Sequence, residues 1–296
     1  MFEGSTVAIV TPFKNGKVDE PTLRKLVDFQ IENGTNAILP CGTTGESPTL
    51  SHDEHERVIE ICIEQTNGRV PVMAGTGSNS TAEAISLTKH AAKAGADAVL
   101  SVTPYYNKPS QEGIYQHFKA IAEAVDIPII LYNIVGRCSI NIETPTVARL
   151  ARDCKNIIGV KEASGSLDQM QAVKIACPDN FLLLSGDDAL TLPLLSVGGV
   201  GVVSVVANII PGDVSKLVRL YTSGQTEEAR ALHLKMFPLV KTMFSDSNPV
   251  PVKVAAELLG LCSSELRLPL CPTTKENIQK VKDAMKTYGL KMKGTS

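Results

Sequence analysis

One lysine lies inside a run of apolar, β-prone residues, Ile157-Ile158-Gly159-Val160-Lys161-Glu162. Strand alternation puts Ile157, Gly159 and Lys161 on one face. If that face looks into a core, keeping an ammonium there is costly unless it is paired or neutralised. Desolvation lowers the pKa, and the free amine that results is a nucleophile able to form an imine with a ketone or aldehyde. Two other arrangements suit the same position, a salt bridge to a carboxylate or a stem that carries the charge out to solvent. Cys41-Gly42-Thr43-Thr44-Gly45-Glu46-Ser47 combines two glycines, which let the backbone approach a ligand, with two hydroxyls and N–H groups suited to a small anion. A turn with capping roles would use the same residues. It lacks the Gly-Lys-Ser/Thr ending of a phosphate-binding P-loop.

Leu131-Tyr132-Asn133 ends another apolar run, and Arg137 follows four residues after Asn133. A phenol there could relay a proton, or simply pack; the guanidinium offers a fork for a carboxylate. Tyr105 and Tyr106, in the proline-flanked segment from Thr103 to Pro109, are expected to be exposed and to mark an interface. Gly186-Asp187-Asp188 suits either a metal or a helix cap, and the cap is favoured. His52 and His55 are one helical turn apart, but no third ligand stands nearby, so no metal is expected.

These residues need elements to hold them. Eight strand-like runs recur at intervals of roughly 20 to 33 residues, the length of a strand–helix unit. They are Thr6–Val10, Ala37–Pro40, Val70–Gly75, Ala98–Val102, Pro128–Asn133, Ile157–Glu162, Phe181–Ser185 and Val200–Val206. Their near-continuous apolarity suits parallel strands covered on both faces. Ser51–Glu54 and Ser80–Glu83 have capping-box spacing, and Thr144-Pro145 predicts an N-cap followed by proline. Asn33-Gly34, Asn67-Gly68 and Ala94-Gly95 predict helix stops. The fold class is therefore α/β: a (β/α)8 barrel over residues 1–224, with its chemistry at the C-terminal strand ends. A small all-helical C-terminal domain, residues 225–296, is expected from the patterns Thr226–Phe244, Pro249–Leu259 and Thr274–Tyr288. The stretch from Lys286 to Ser296 is expected to fray. An open doubly wound sheet would instead show a glycine-rich nucleotide turn after its first strand.

The chain has 296 residues, 29 Lys+Arg against 31 Asp+Glu, and a formal net charge of −2, with no basic face of the kind nucleic acid requires. It has no Trp, and its aromatic content of 4% argues against a base- or sugar-stacking groove. Seven scattered cysteines without a Cys-x-x-Cys pair suggest neither disulfides nor zinc and fit a reducing cytoplasm. The start, Met1 to Ser5, carries no signal-peptide pattern, and Ala189–Pro211 is too broken by Pro, Gly, Ser and Asn to span a membrane.

Several motifs occur in order along the whole chain: Ala8–Pro12, Gly42–Glu46, Tyr132-Asn133, Gly159–Glu162, Ser185–Asp188 and Asn248–Lys253. Together they resemble the dihydrodipicolinate synthases, within the pyruvate-dependent class I aldolase superfamily. Thr43-Thr44 and Arg137 separate the chain from that superfamily's sialic-acid lyases, which typically carry Ser-Thr and lack the arginine. The resemblance implies a Schiff base between Lys161 and pyruvate, and condensation with L-aspartate 4-semialdehyde in lysine/diaminopimelate biosynthesis. It implies a proton relay through Tyr132, Thr43 and Tyr106, the last from a neighbouring subunit. Thr44 would hold pyruvate's carboxylate, Gly186 and Val203 would line the pocket, and Arg137 would orient the aldehyde's carboxylate. No metal or organic cofactor is needed, and a homotetramer built as a dimer of dimers is expected.

The same resemblance implies a feedback site for lysine at Ser47, Pro48, His52, His55, Asn79, Glu83 and Tyr105. Pro48 replaces the alanine often found there, with its carbonyl still available. After Tyr132-Asn133 the family usually has Val-Pro-x-Arg-Thr-Gly, whereas this chain has Ile134-Val135-Gly136-Arg137-Cys138-Ser139. Loss of the proline and the final glycine is expected to alter the loop backbone. Other possibilities are an aldolase for a 2-keto-3-deoxy sugar acid, a phosphate-binding barrel using Gly198–Gly201, and a non-catalytic sensor. Arg137 and Thr44 count against the first. The glycine run precedes its strand, which disfavours the second, and the retained relay disfavours the third.

Overall fold

The eight runs form eight strands in the computed structural model, which describes residues 2–293. They are β1 (Gly4–Ala8), β2 (Ala37–Leu39), β3 (Met73–Gly75), β4 (Ala98–Val102), β5 (Ile129–Asn133), β6 (Ile157–Glu162), β7 (Leu182–Ser185) and β8 (Gly201–Ser204). All pair in parallel, in the order β2-β1-β8-β7-β6-β5-β4-β3. A single parallel bridge, Ile38 to Val72, joins the two ends and nearly closes the barrel.

Period-two alternation divides the core. Ala37, Leu39, Ile130, Tyr132, Leu184 and Val203 fill the barrel, while their neighbours Ile38, Ile129, Leu131, Leu183 and Val202 face the helices. Each Leu, Ile or Val among them contributes ~1.5–3 kcal/mol by leaving water. From Gly159 on, alternation turns Lys161 inward and Val160 outward, and the register sets Lys161 between Tyr132 and Leu184; a register shift at Ile158 puts Ile157, expected on the face of Lys161, with the helix-facing residues instead.

The surrounding helices are α1 (Glu20–Glu32), α2 (His52–Thr66), α3 (Thr81–Ala94), α4 (Gln111–Glu123), a one-turn α5 (Val135–Cys138), α6 (Thr144–Asp153), α7 (Leu167–Ala176), α8 (Thr191–Ser196) and α9 (Pro211–Thr222). Three more follow, α10 (Thr226–Thr242), α11 (Val250–Leu258) and α12 (Lys275–Tyr288); α10 packs on α9 and α12, and α11 on α12. Ser51 and Glu54 form a complete capping box on α2. On α3 only half of one forms: Ser80 accepts from the Glu83 N–H, but the Glu83 carboxylate turns to Ser78 and His52. The cap expected at Thr144 falls one residue earlier, at Glu143, without a side-chain bond, and Thr144 already lies in the helix.

The expected fraying after Lys286 is also corrected. The α12 helix continues to Tyr288, Gly289 caps it at φ 99, and the Lys293 N–H donates to Leu258 O at 2.7 Å. Residues 294–296 lie outside those described. No described helix is long and apolar enough to cross a membrane.

Candidate active site

At the C-terminal end of the barrel, Lys161, Tyr132, Thr43, Thr44, Arg137 and Gly186 line one cavity of about 440 Å3. Lys161 is only 6% exposed, and its Nζ lies 3.9 Å from the centre of the Tyr132 ring. Among the described residues no hydrogen bond or ion pair holds it, so neither a salt bridge nor an escape to solvent describes this lysine. Burial pulls its pKa from the ordinary 10.5 to about 7, opposed by the Asp188 carboxylate and assisted by Arg137. At pH 7 the free-amine fraction is roughly three orders of magnitude above that of an ordinary lysine. Gly186 makes room for this arrangement. A Cβ there would stand 3.0 Å from Lys161 Cε and 2.6 Å from the Ala163 Cβ.

Asp188 was not expected to act here. It is buried and accepts from Ser204 Oγ and from the N–H groups of Val205 (2.9 Å) and Val206 (3.1 Å). Burial raises its pKa to about 6 against the effect of those donors. The cap favoured at this sequence belongs to Asp187, whose Oδ1 accepts from the Ala189 N–H at 2.8 Å.

Tyr132 is pushed up to about 12 by burial, and the Thr43 hydroxyl beside it opposes the shift. A phenol so held stays neutral and can pass a proton without leaving a buried charge behind. Next to the two reactive strand ends, buried Glu162 accepts from Asn133 Nδ2, from Gln169 Nε2 at 3.0 Å and from the Ser164 N–H at 2.7 Å. Asn133 Oδ1 accepts from the Ile142 N–H at 3.1 Å and so ties down the far end of the loop that carries Arg137. In that loop Ser139 adopts the left-handed conformation (φ 56), and its N–H donates to Val135 O at 2.8 Å. Ser139 thus holds, without glycine, a conformation that glycine takes at no steric cost. Arg137 Nη2 donates to Asn248 O at 3.3 Å, and among the described residues no carboxylate pairs with it.

Phe244, Ser247 and Asn248, from the segment between α10 and α11, form one wall of the cavity. Asn248 Nδ2 donates to Thr44 Oγ1 at 3.0 Å. Val203, expected to line the pocket, instead packs inside the barrel with Ala8, Tyr132 and Leu184, and Val205, just past the end of β8, stands on the wall. Tyr106 stands apart, 90% exposed at φ 71, and no described residue of its own chain brings it to Thr43.

A second cavity, of about 450 Å3, shares Thr43, Tyr132 and Arg137 with the first. Ser47, Pro48, His52, His55, Glu83 and Tyr105 line it, and Asn79 Nδ2 donates to Tyr105 O at 3.2 Å. His52 Nε2 lies 2.8 Å from Glu83 Oε1. Bonds from Ser78 and His52 lower the Glu83 pKa, keeping a carboxylate in this cavity. Burial holds His55 down at about 4, so its ring is neutral at pH 7. Among the described residues there is no group of three or more His, Cys, Asp or Glu placed to hold a metal.

The model of the Dihydrodipicolinate synthetase family matches residues 1–288. The 4-hydroxy-tetrahydrodipicolinate synthase of Endomicrobium trichonymphae is 58% identical over 290 residues, covering 98% of this chain and 99% of that protein. Among solved structures, dihydrodipicolinate synthase from Aquifex aeolicus superposes with a TM-score of 0.98 at 47% identity, covering 99% of this chain and 100% of the other. The enzyme from Cyanidioschyzon merolae, solved with lysine bound, gives a TM-score of 0.96 at 44% identity, over 98% of this chain and 99% of that one. On matches that span nearly every residue, and on a barrel whose strand ends gather the expected side chains, the chain belongs to the dihydrodipicolinate synthetase family and is an enzyme of the lyase class.

Proposed function

We propose that the enzyme condenses pyruvate with L-aspartate 4-semialdehyde, through a Schiff base on Lys161, to give 4-hydroxy-tetrahydrodipicolinate. The observation that carries this is the inward Lys161 amine, buried with no hydrogen-bonded partner among the described residues and lowered to about 7. The neutral amine attacks the C2 ketone of pyruvate, and loss of water leaves the imine. Removal of a C3 proton gives the enamine, whose carbon attacks the aldehyde of the second substrate. That substrate's own amine then adds at C2, closes the ring and displaces Lys161 as the free amine. Tyr132, beside Thr43, transfers the protons; Tyr106 joins the relay from a partner subunit in a tetramer built from dimers, a role that its exposure supports. Thr44 and nearby N–H groups hold pyruvate's carboxylate, Gly186 and Val205 line its pocket while Val203 packs inside the barrel, and Arg137, with no carboxylate partner among the described residues, receives the aldehyde's carboxylate.

Incubation with pyruvate and borohydride, followed by peptide mass analysis, tests the reaction. An adduct on Lys161 is expected; no adduct, or one elsewhere, would sink the Schiff base. Turnover of aspartate semialdehyde rather than sugar-acid aldehydes separates this enzyme from a related aldolase.

The second cavity supports feedback by lysine, with Glu83 receiving the effector's ammonium and Ser47, Pro48, His52, His55, Asn79 and Tyr105 around it. Lysine is expected to inhibit the wild type and to inhibit His55→Ala at least tenfold more weakly. An equal response in lysine titrations would remove this site.

A further inference from the structure

The Gly42–Gly45 turn is flanked by two non-glycine residues in the left-handed region, Cys41 at φ 56 and Glu46 at φ 55. Such a conformation persists only where the surroundings over-determine it. At Glu46 the side chain does so. It is 1% exposed; one carboxylate oxygen accepts from Lys253 Nζ at 2.7 Å and the other from the Arg267 N–H at 3.2 Å. Lys253, 0% exposed, also donates to the carbonyls of Thr11 (3.0 Å) and Glu265. Thr11 Oγ1 in turn donates to Gly45 O at 2.7 Å.

The same stretch of chain grips the turn a second time through Asn248 and Thr44. Inside the turn, Gly45 N–H donates to Gly42 O and Glu46 N–H to Thr43 O, both at 3.1 Å. The turn therefore moves as one piece, and a displacement at Glu46 displaces both threonine hydroxyls. A buried ion pair is weak evidence for stability, because apolar residues of equal volume serve that end as well or better. Two charges, each with fixed hydrogen-bond partners, do set one geometry.

We infer that Glu46 and Lys253 are positioning residues whose ion pair holds the Thr43–Thr44 turn in register with Lys161, and so sets the affinity for pyruvate. The inference rests on the proposed reaction. It distinguishes the two substrates, because Arg137 is carried by the separate α5 turn, touches neither Glu46 nor Lys253, and meets this stretch only through a 3.3 Å bond to the Asn248 backbone carbonyl, which the ion pair does not hold.

The test uses the full-length enzyme with Glu46→Gln, Lys253→Met and the double variant, which keeps both volumes and removes both charges. Steady-state kinetics with each substrate are paired with borohydride trapping at increasing pyruvate. In every folded variant the pyruvate concentration for half-maximal Lys161 trapping is expected to rise at least tenfold. The KM for the aldehyde should stay within twofold. The double variant is expected to recover wild-type Tm without recovering pyruvate affinity, which a merely structural pair would not do. Unchanged pyruvate dependence, equal rises in both KM values, or failure of all three variants to fold would each overturn the inference. A wild type that gives no Lys161 adduct overturns the reaction, and the inference with it, before any variant is compared.

Discussion

Two lysines are buried among the described residues, Lys161 at the end of β6 and Lys253 in α11, and they differ in what surrounds the ammonium. Lys253 meets a carboxylate and two carbonyls, each within hydrogen-bond distance. Burial lowers its pKa too, but Glu46 opposes the shift through both charge and hydrogen bond. Both lie over an aromatic ring, Lys253 over Phe13 at 4.4 Å and Lys161 over Tyr132 at 3.9 Å, but Lys161 has no acceptor besides it among the described residues, and the charge that favours its ammonium, Asp188, is already committed to three donors. Burial is common to both; the supply of acceptors decides which lysine stays a cation and which becomes a nucleophile.

Replacing each lysine with methionine should break this pairing most visibly. Lys161→Met should lower turnover by on the order of 10³-fold or more, since the covalent intermediate cannot form. It should nonetheless stabilise the fold at pH 7 in urea unfolding, whereas Lys253→Met should cost about 3–5 kcal/mol by leaving Glu46 buried without its cation. The sign for Lys161 follows from its titration. Its folded-state pKa of about 7 lies below the ordinary 10.5, so the unfolded chain binds more protons between those values and wild-type stability rises with pH across that window. The advantage of Lys161→Met should therefore be fullest below pH 7 and gone above about 10.5. A variant less stable than wild type at pH 7 would contradict the assignment of Lys161 as an unsupported cation.

A smaller effect is expected from Asp188→Asn. Removing the carboxylate that favours the Lys161 ammonium should move the midpoint of pyruvate trapping toward acid, by roughly one pH unit or less. A shift toward alkali would mean that Asp188 acts on Lys161 by some route other than charge.

Much of the barrel was legible because its strands are apolar on both faces and punctuated by Asn-Gly and Ala-Gly stops. Lys161 stood out as the one lysine interrupting such a run. Residues whose role depends on distant partners were not legible. Asn248 and Lys253 appeared only as members of a motif, although they bond Thr44 and Glu46 across 204 and 207 positions. Spacing also misjudged Glu83, whose place in a capping box is locally sound. In the fold, Ser78 and His52 draw its carboxylate into the second cavity. Asp187 and Asp188 are adjacent and chemically identical, and only burial separates the cap from the charge beside the nucleophile.

Lys161 must be a neutral amine near physiological pH for this chemistry, and the pH dependence of pyruvate–borohydride labelling, resolved by peptide, measures that directly. Labelling of Lys161 with a midpoint near pH 7 and no labelling of Lys253 is the predicted result. A midpoint near 10.5, or an adduct on Lys253 in its place, would contradict it.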